Sequence, residues 1–293
     1  MPDATHNRRF QPGPPIGDHF SPRQYRRLAD LIEAYCGIKV GEKKQTMVEG
    51  RLRSRVRDLG LRKFDDYSTF LFDEGGLEQE LSILIDAITT NKTDFFREPG
   101  HFEILAKRIV PELVKSQGIG ASRPCRVWSS ACSTGPEPYT LAMVLSDVAL
   151  ENSGFKFQIF ASDICTDALQ EAVRAVYTED FIAPVPMLTR KRYLLKSRDK
   201  GAGLVRMAPE IRRAVTFTKM NLLERKYPFK FAMDVIFCRN IIIYFDRAVQ
   251  QRVIGFLCDH LVSGGYLIMG HSEALNGLDL PLELCEPTVY RRI

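Results

Sequence analysis

The sequence predicts an α/β protein. A small all-helical domain precedes an open, mostly parallel sheet, and a small antiparallel β-subdomain is inserted late in that sheet. Three observations predict it. Residues 21–88 carry apolar side chains at helical spacing and show no strand pattern. Beyond Thr89, short apolar runs alternate with helical segments, as they do in βαβ units. Between about 187 and 213 the alternation breaks around Gly201-Ala202-Gly203, where two short runs suggest a hairpin.

Taken in order, residues 1–19 are polar and rich in Pro and Gly, without the apolar core of a signal peptide, and are expected to be a disordered leader. The helical domain is expected over 20–88. Ser21-Pro22 offers a cap and a first-turn proline. Tyr25, Leu28, Leu31, Ile32 and Tyr35 then follow the helical period, and Gly37 stops it. A second helix, from about 44 to 59, has Val48, Leu52, Val56 and Leu59 on one stripe, and two more flank Gly75-Gly76. The sheet domain is expected over 89–293. Its strands are read at 126–131, 157–162, 215–220, 233–238 and 265–269, and its helices at 138–150, 166–176 and 247–261. The insert is read from runs at 193–196 and 204–207.

Composition narrows the function classes. Of the 293 residues, 45% are hydrophobic and 26% charged, the balance of a water-soluble protein. No apolar run nears the ~18 residues that span a bilayer, so no membrane insertion and a cytoplasmic location are expected. Seven cysteines, an odd number with no CxxC pair, argue against a disulfide framework or a zinc site, and no metal is expected. A net charge of +5 suits an acidic partner without calling for nucleic acid.

Ligands of open α/β sheets bind at the carboxyl ends of strands. The first strand is followed by Cys132-Ser133-Thr134-Gly135-Pro136-Glu137, a small-residue turn that lets a ligand approach the backbone. It lacks GxGxxG spacing and the lysine of a phosphate loop, which favours a nucleoside without phosphates. The second strand ends at Asp163, whose carboxylate could accept from a ribose diol or cap the next helix. The fourth leads into Arg239-Asn240 and an apolar run ending at Tyr244. Upstream, Asn91, Thr93 and Arg97 interleave with Phe95-Phe96.

These segments carry a resemblance. TTNKTDFFRE at 89–98, ACSTGPEPYTLAM at 131–143, ASDI at 161–164, NLL at 221–223, CRNIIIYF at 238–245 and GHSE at 270–273 occur in the order found in the CheR chemotaxis methyltransferases. The sequence resembles that family over roughly residues 20–293. The resemblance implies a class I S-adenosylmethionine (SAM) methyltransferase fold. It implies transfer of a methyl group to glutamate carboxylates of methyl-accepting chemoreceptors, whose cytoplasmic domain would be the partner, with S-adenosylhomocysteine as product. By resemblance, Asn91, Thr93 and Arg97 would bind the methionine portion or frame the methyl group. Glu137 would sit at the amino-acid end, Asp163 on the ribose, and Asn221 and Leu222 beside the adenine. Arg239 and Asn240 would close the pocket, and Tyr244 would lie near the methyl. The sequence departs from the family at Pro136, where Glu is commoner, and at Cys165, where an acidic residue is.

The chemistry needs no metal and no strong base, because a glutamate with a pKa of about 4.3 is ionised at neutral pH. Arg97 and Tyr244 are the candidates for holding the incoming carboxylate. The second helix carries Arg51, Arg53, Arg55 and Arg57 beside Lys43 and Lys44. Arg53 and Arg57 are expected to project from it as a docking surface for acidic receptor helices. A nucleic-acid methyltransferase is disfavoured, because CRNI stands where amino-group enzymes carry a DPPY-like loop.

Overall fold

The computed structural model describes residues 19–293, so the expected leader lies outside the described residues save for His19. The chain divides into two compact units. One holds the chain up to Ala34 with Val40–Ile88; the other holds Tyr35–Lys39 with Thr89–Ile293.

The first unit is helical. Helices α1 (Pro22–Cys36), α2 (Gln45–Asp58), α3 (Phe64–Phe72) and α4 (Leu77–Ile88) follow the predicted segments closely. Tyr25, Leu28, Ile32, Val48, Leu52, Val56, Phe64, Tyr67 and Leu84 form its core, at the positions the 3.6-residue period selects. The arginines of α2 are less free than the sequence suggests. Arg51 donates to the Ile88 carbonyl. Arg55 makes a two-pronged pair with buried Glu80, its Nε 2.9 Å from Oε2. Arg53 does not simply project outward: it is half-buried, its guanidinium 5.3 Å from the Phe64 ring centre. Arg57 is exposed as expected. Glu49 is buried on the same helix and accepts from His19, from the Phe20 amide at 2.8 Å and from Gln45 at 2.8 Å.

The second unit opens with a run unread in the sequence: α5 (Gly100–Ile104), a π-turn over Leu105–Ile109 and α6 (Val110–Gln117). Gly118, with φ +64°, ends it. Then come β1 (Cys125–Ser129), α7 (Pro136–Glu151), β2 (Phe157–Asp163) and α8 (Thr166–Arg174). The expected helix 166–176 stops short because Ala175 turns left-handed, with φ +55°. The next residues form β3 (Val176–Thr178), which pairs antiparallel with β5 (Leu204–Met207); so does β4 (Leu194–Lys196), reached through α9 (Met187–Tyr193). The antiparallel insert is therefore a three-stranded sheet that begins before the hairpin expected at 187–213.

The chain then returns through α10 (Pro209–Arg213) to β6 (Val215–Lys219), β7 (Met233–Cys238), α11 (Arg247–Asp259) and β8 (Leu261–Met269). Leu261, expected to close the last helix, opens β8 instead. Two further strands went unread, β9 (Leu282–Glu286) and β10 (Val289–Arg292). The main sheet runs β6-β2-β1-β7-β8-β10-β9, parallel except for β10, which pairs antiparallel with both its neighbours. This is the class I methyltransferase architecture. Every residue of central β7 is buried, as a strand covered on both faces requires. Its one charge, Asp234, is paired with Arg123 at 2.6 Å and accepts from the Arg126 amide.

Candidate active site

The strand order reverses at β1, which lies between β2 and β7. At such a switch point the loops beyond the strands part and leave a crevice. The predicted residues of the second unit lie on the loops that gather there and on residues 89–98.

The turn after β1 is held open by strained backbone. Ser133 has φ +51° and Gly135 φ +98°. A side chain at Gly135 would meet the Tyr177 hydroxyl at 2.9 Å, so only glycine fits. Pro136 then starts α7, two residues earlier than expected, because proline suits a first helical turn. Asp163 joins this turn to β2: its Oδ2 accepts from the Ser133 amide at 2.7 Å and its Oδ1 from the Cys165 amide at 2.9 Å. Asp163 is not the helix cap that one reading foresaw: Cys165 holds the N-cap position, and the bond from its amide closes a turn just before α8. A carboxylate oxygen can accept more than one hydrogen bond, so these two contacts do not exclude a diol. Asn91 closes the same corner: its carbonyl accepts from Ser133 Oγ at 2.9 Å, and its Nδ2 lies 3.2 Å from Cys165 Sγ.

Arg239 is the centre of a second cluster. Its side chain is 2% exposed and pairs with Glu137 at 3.0 Å and with Glu98 at 2.9 Å. It also donates to the Arg97 carbonyl. Glu137 in turn accepts from Ser129 Oγ at 2.7 Å. Glu98 reaches Asn240 Nδ2 at 3.4 Å and the His271 amide at 3.2 Å, so one carboxylate ties three loops together. Burial opposes ionisation of Glu98, but the bond to Arg239 and its charge outweigh that and hold the carboxyl below its usual range. The backbone around it is strained as well, with Phe96 and Glu98 both left-handed (φ +53° and +56°).

Glu273 fixes the loop after β7. It is 2% exposed and accepts from the amides of Asn240, Gly270 (2.9 Å), Ile242 (2.8 Å) and Ile243 (3.4 Å). Burial raises its pKa, because four backbone donors only partly replace water. Gly270 must stay small: a Cβ there would lie 2.6 Å from Asn240 Nδ2 and 2.8 Å from Glu273 Oε2. The loop so held carries Asn240 (φ +58°) and a short 3₁₀ turn, Ile242–Tyr244. The Tyr244 carbonyl accepts from the Lys39 amide at 3.4 Å, while its hydroxyl makes no hydrogen bond to the described residues. The Arg97 guanidinium bonds only the Lys92 carbonyl among them, at 3.1 Å. Thr93 is half-buried in the same loop.

Asn221 and Leu222, after β6, are both buried. The Asn221 side chain is already engaged: it donates to the Tyr35 carbonyl at 2.6 Å and accepts from the Leu223 amide at 3.0 Å. The structure thus brings Asn91 to Asp163 through Ser133, joins the Arg97 carbonyl and Glu137 through Arg239, and ties Arg239 to Asn240 through Glu98. Arg53 and Arg57 belong to the helical unit. Glu98 and Glu273 were not picked out from the sequence as site residues. Both stand in segments quoted above, FFRE and GHSE; for Glu273, a carboxylate in a loop beyond a buried strand was the available signal, whereas Glu98 follows a helix and had none of that kind.

Comparison with known proteins decides the family. The profile described as CheR methyltransferase, SAM binding domain, matches residues 91–291, and that described as CheR methyltransferase, all-alpha domain, matches residues 23–89. The chain belongs to the CheR methyltransferase family. Among its CheR relatives, the chemotaxis protein methyltransferase of Borreliella burgdorferi is 36% identical over 267 residues, covering 91% of this chain and 93% of the relative. Proteins of the same name from Klebsiella aerogenes (37% over 272 residues; 92% and 89%) and Escherichia coli (36% over 270 residues; 92% and 91%) are similarly close. The CheR profile boundary at residue 89 falls where the helical unit gives way to the sheet unit.

Proposed function

We propose that this chain transfers the methyl group of SAM to glutamate side chains of methyl-accepting chemoreceptors, leaving methyl esters and S-adenosylhomocysteine. The SAM-binding family profile and three relatives named chemotaxis protein methyltransferase support the reaction class. The observation that carries the finer reading is a contrast in pairing. Arg239, Glu98, Glu137 and Glu273 are committed to fixed contacts, whereas the Arg97 guanidinium and the Tyr244 hydroxyl keep donors to spare. Spare donors beside a nucleoside crevice suit an incoming carboxylate.

The donors and acceptors fit the cofactor. Asp163 offers acceptors to a ribose diol, and the turn after β1 has no phosphate-binding lysine. Asn91 and Thr93 would line the methionine portion, Arg97 would frame the methyl group, Glu137 would sit at the amino-acid end, and Arg239 and Asn240 would close the pocket. Leu222 would flank the adenine, and Asn221 would act by holding that wall in place. When bound, the cofactor supplies an electrophilic sulfonium methyl. Arg97 would hold the substrate glutamate ionised and aim it, and Tyr244 would fix one carboxylate oxygen. Because an anion and a cation neutralise each other on reaction, a crevice that excludes water favours the transition state.

No helix among the described residues is long and apolar enough to cross a membrane. We place the protein in the cytoplasm, acting on the cytoplasmic part of the receptor. Arg57 and the partly exposed Arg53 would meet its acidic helices. The test is transfer of labelled methyl to receptor-bearing membranes, followed by alkali. Release of the label as methanol is expected; cofactor binding with no transfer, or a label stable to alkali, would overturn the reading.

A further inference from the structure

Behind the Glu98–Arg239 pair lies a histidine that methyl transfer does not use. His101, on α5, is 2% exposed. Its Nε2 lies 2.9 Å from Thr288 Oγ1. The Thr288 hydroxyl also lies 2.6 Å from the Pro287 carbonyl, so it can donate there while accepting from His101 Nε2. In that arrangement the ring proton of neutral His101 sits on Nε2 and Nδ1 presents a lone pair. That atom is buried and has no hydrogen-bond partner among the described residues. It faces a carboxylate: Glu98 Oε2 is 3.5 Å away. A bare lone pair aimed at an anion is an arrangement that a cation between them would relieve.

A third donor lies alongside. The exposed His271 ring stands 4.9 Å from the His101 ring, edge to face, and one donor atom from each of Glu98, His101 and His271 falls within 4.8 Å of the others. Two ligands of a tetrahedral zinc ion, each at about 2.0–2.1 Å, are about 3.3 Å apart. The Glu98–His101 separation is close to that. Charge also permits an ion. Arg239 shares the Glu98 oxygen, but Glu137 opposes Arg239 as well, so the three groups together carry one net negative charge. Burial pushes the His101 imidazole down to about 4, which keeps it in the neutral form that metals bind.

We propose that Glu98, His101 and His271 bind a divalent transition-metal ion of the zinc class, with water completing the shell. Two imidazoles and one carboxylate are a donor set that zinc accepts. The ion takes no part in methyl transfer. It sits on the residue that ties the loops bearing Arg97, Asn240 and His271, and so is placed to stiffen them.

The test uses the full chain and Zn²⁺ alone, titrated against a chromophoric chelator, with Co²⁺ as a visible probe. One ion per chain at micromolar affinity or tighter is expected, falling at least about tenfold in His271→Ala, where an exposed ligand is lost without disturbing the core. In His271→Cys, bound Co²⁺ should gain a thiolate charge-transfer band that the parent chain, with its seven native cysteines, does not show under the same conditions. No binding in the micromolar range, unchanged affinity in His271→Ala, or Co²⁺ bound to His271→Cys without that band would each overturn the proposal. All three readouts are independent of methyl transfer.

Discussion

Two buried glutamates, one in each unit, show how one device serves different ends. Glu49 on α2 and Glu273 beyond β8 are 1% and 2% exposed, and each is held by N–H donors rather than by Lys or Arg. Yet their acidities move in opposite directions. For Glu49, burial favours the neutral acid, but bonds from Gln45, His19 and the Phe20 amide outweigh it and the pKa falls. For Glu273 burial wins and the pKa rises. Glu49 fastens the residues entering α1 to α2 and so serves the helical fold. Glu273 gathers the amides of a loop that would otherwise lack a regular structure, and that loop carries Asn240 and Tyr244. The difference teaches that a charge with a stabilising environment maintains a fold, whereas a charge kept at some cost marks a loop whose shape matters more than its stability.

The sharpest test of that contrast is Glu273→Ala. It strips the amides of Asn240, Gly270 and Ile242 of their acceptor and should cost about 4 kcal/mol in urea unfolding, with methyl transfer lost. Arg239→Met should be nearly as costly, about 3 kcal/mol by the same measurement, because Glu98 and Glu137 would face each other without a cation. A loss below about 1 kcal/mol in either would show that the loops do not depend on these anchors.

Arg97→Ala should leave stability nearly unchanged and lower kcat about 100-fold, with cofactor affinity by calorimetry shifting less than about threefold. Equal losses in both would make Arg97 a cofactor contact rather than a holder of the glutamate.

Glu49→Gln should cost about 2 kcal/mol at pH 7. The sign follows from linkage. A carboxyl whose folded pKa is depressed contributes fully above its unfolded value of about 4.3, and the contribution is lost as pH falls through the folded value. Urea midpoints of variant and parent should therefore converge below about pH 4. A constant gap would mean that shape, not charge, holds the helix. Smallest of all, Arg57→Ala should change stability by less than about 0.5 kcal/mol. It should raise KM for receptor modestly, and the rise should shrink as salt is added.

Much of this was legible in the sequence where physical periods are strong. The stripe Val48-Leu52-Val56 and the buried run of β7 stand out because burial on one face or both leaves a regular trace. The left-handed turn at Ala175 was not legible, since alanine gives no stop signal, and β3 was lost into a helix. Strands β9 and β10 escaped because their apolar residues are few and interleaved with charges. At the site, Asp163 and the small-residue turn could be found from their position after strands. What could not be foreseen was which charges cancel: Arg239 with Glu98 and Glu137, or Arg55 with Glu80, are matches across long stretches of chain that no local spacing records.

The path of the chain carries one more lesson. It passes between the two units three times, after Ala34, after Lys39 and after Ile88, because Tyr35–Lys39 belongs with the sheet. The Tyr35 carbonyl receives the Asn221 amide, and the Lys39 amide meets the Tyr244 carbonyl. A truncated protein beginning at Thr89 would look like a clean excision and yet lose five residues that its own crevice wall requires. Separating the halves in any useful way means keeping that short splint, for example by supplying it as a peptide.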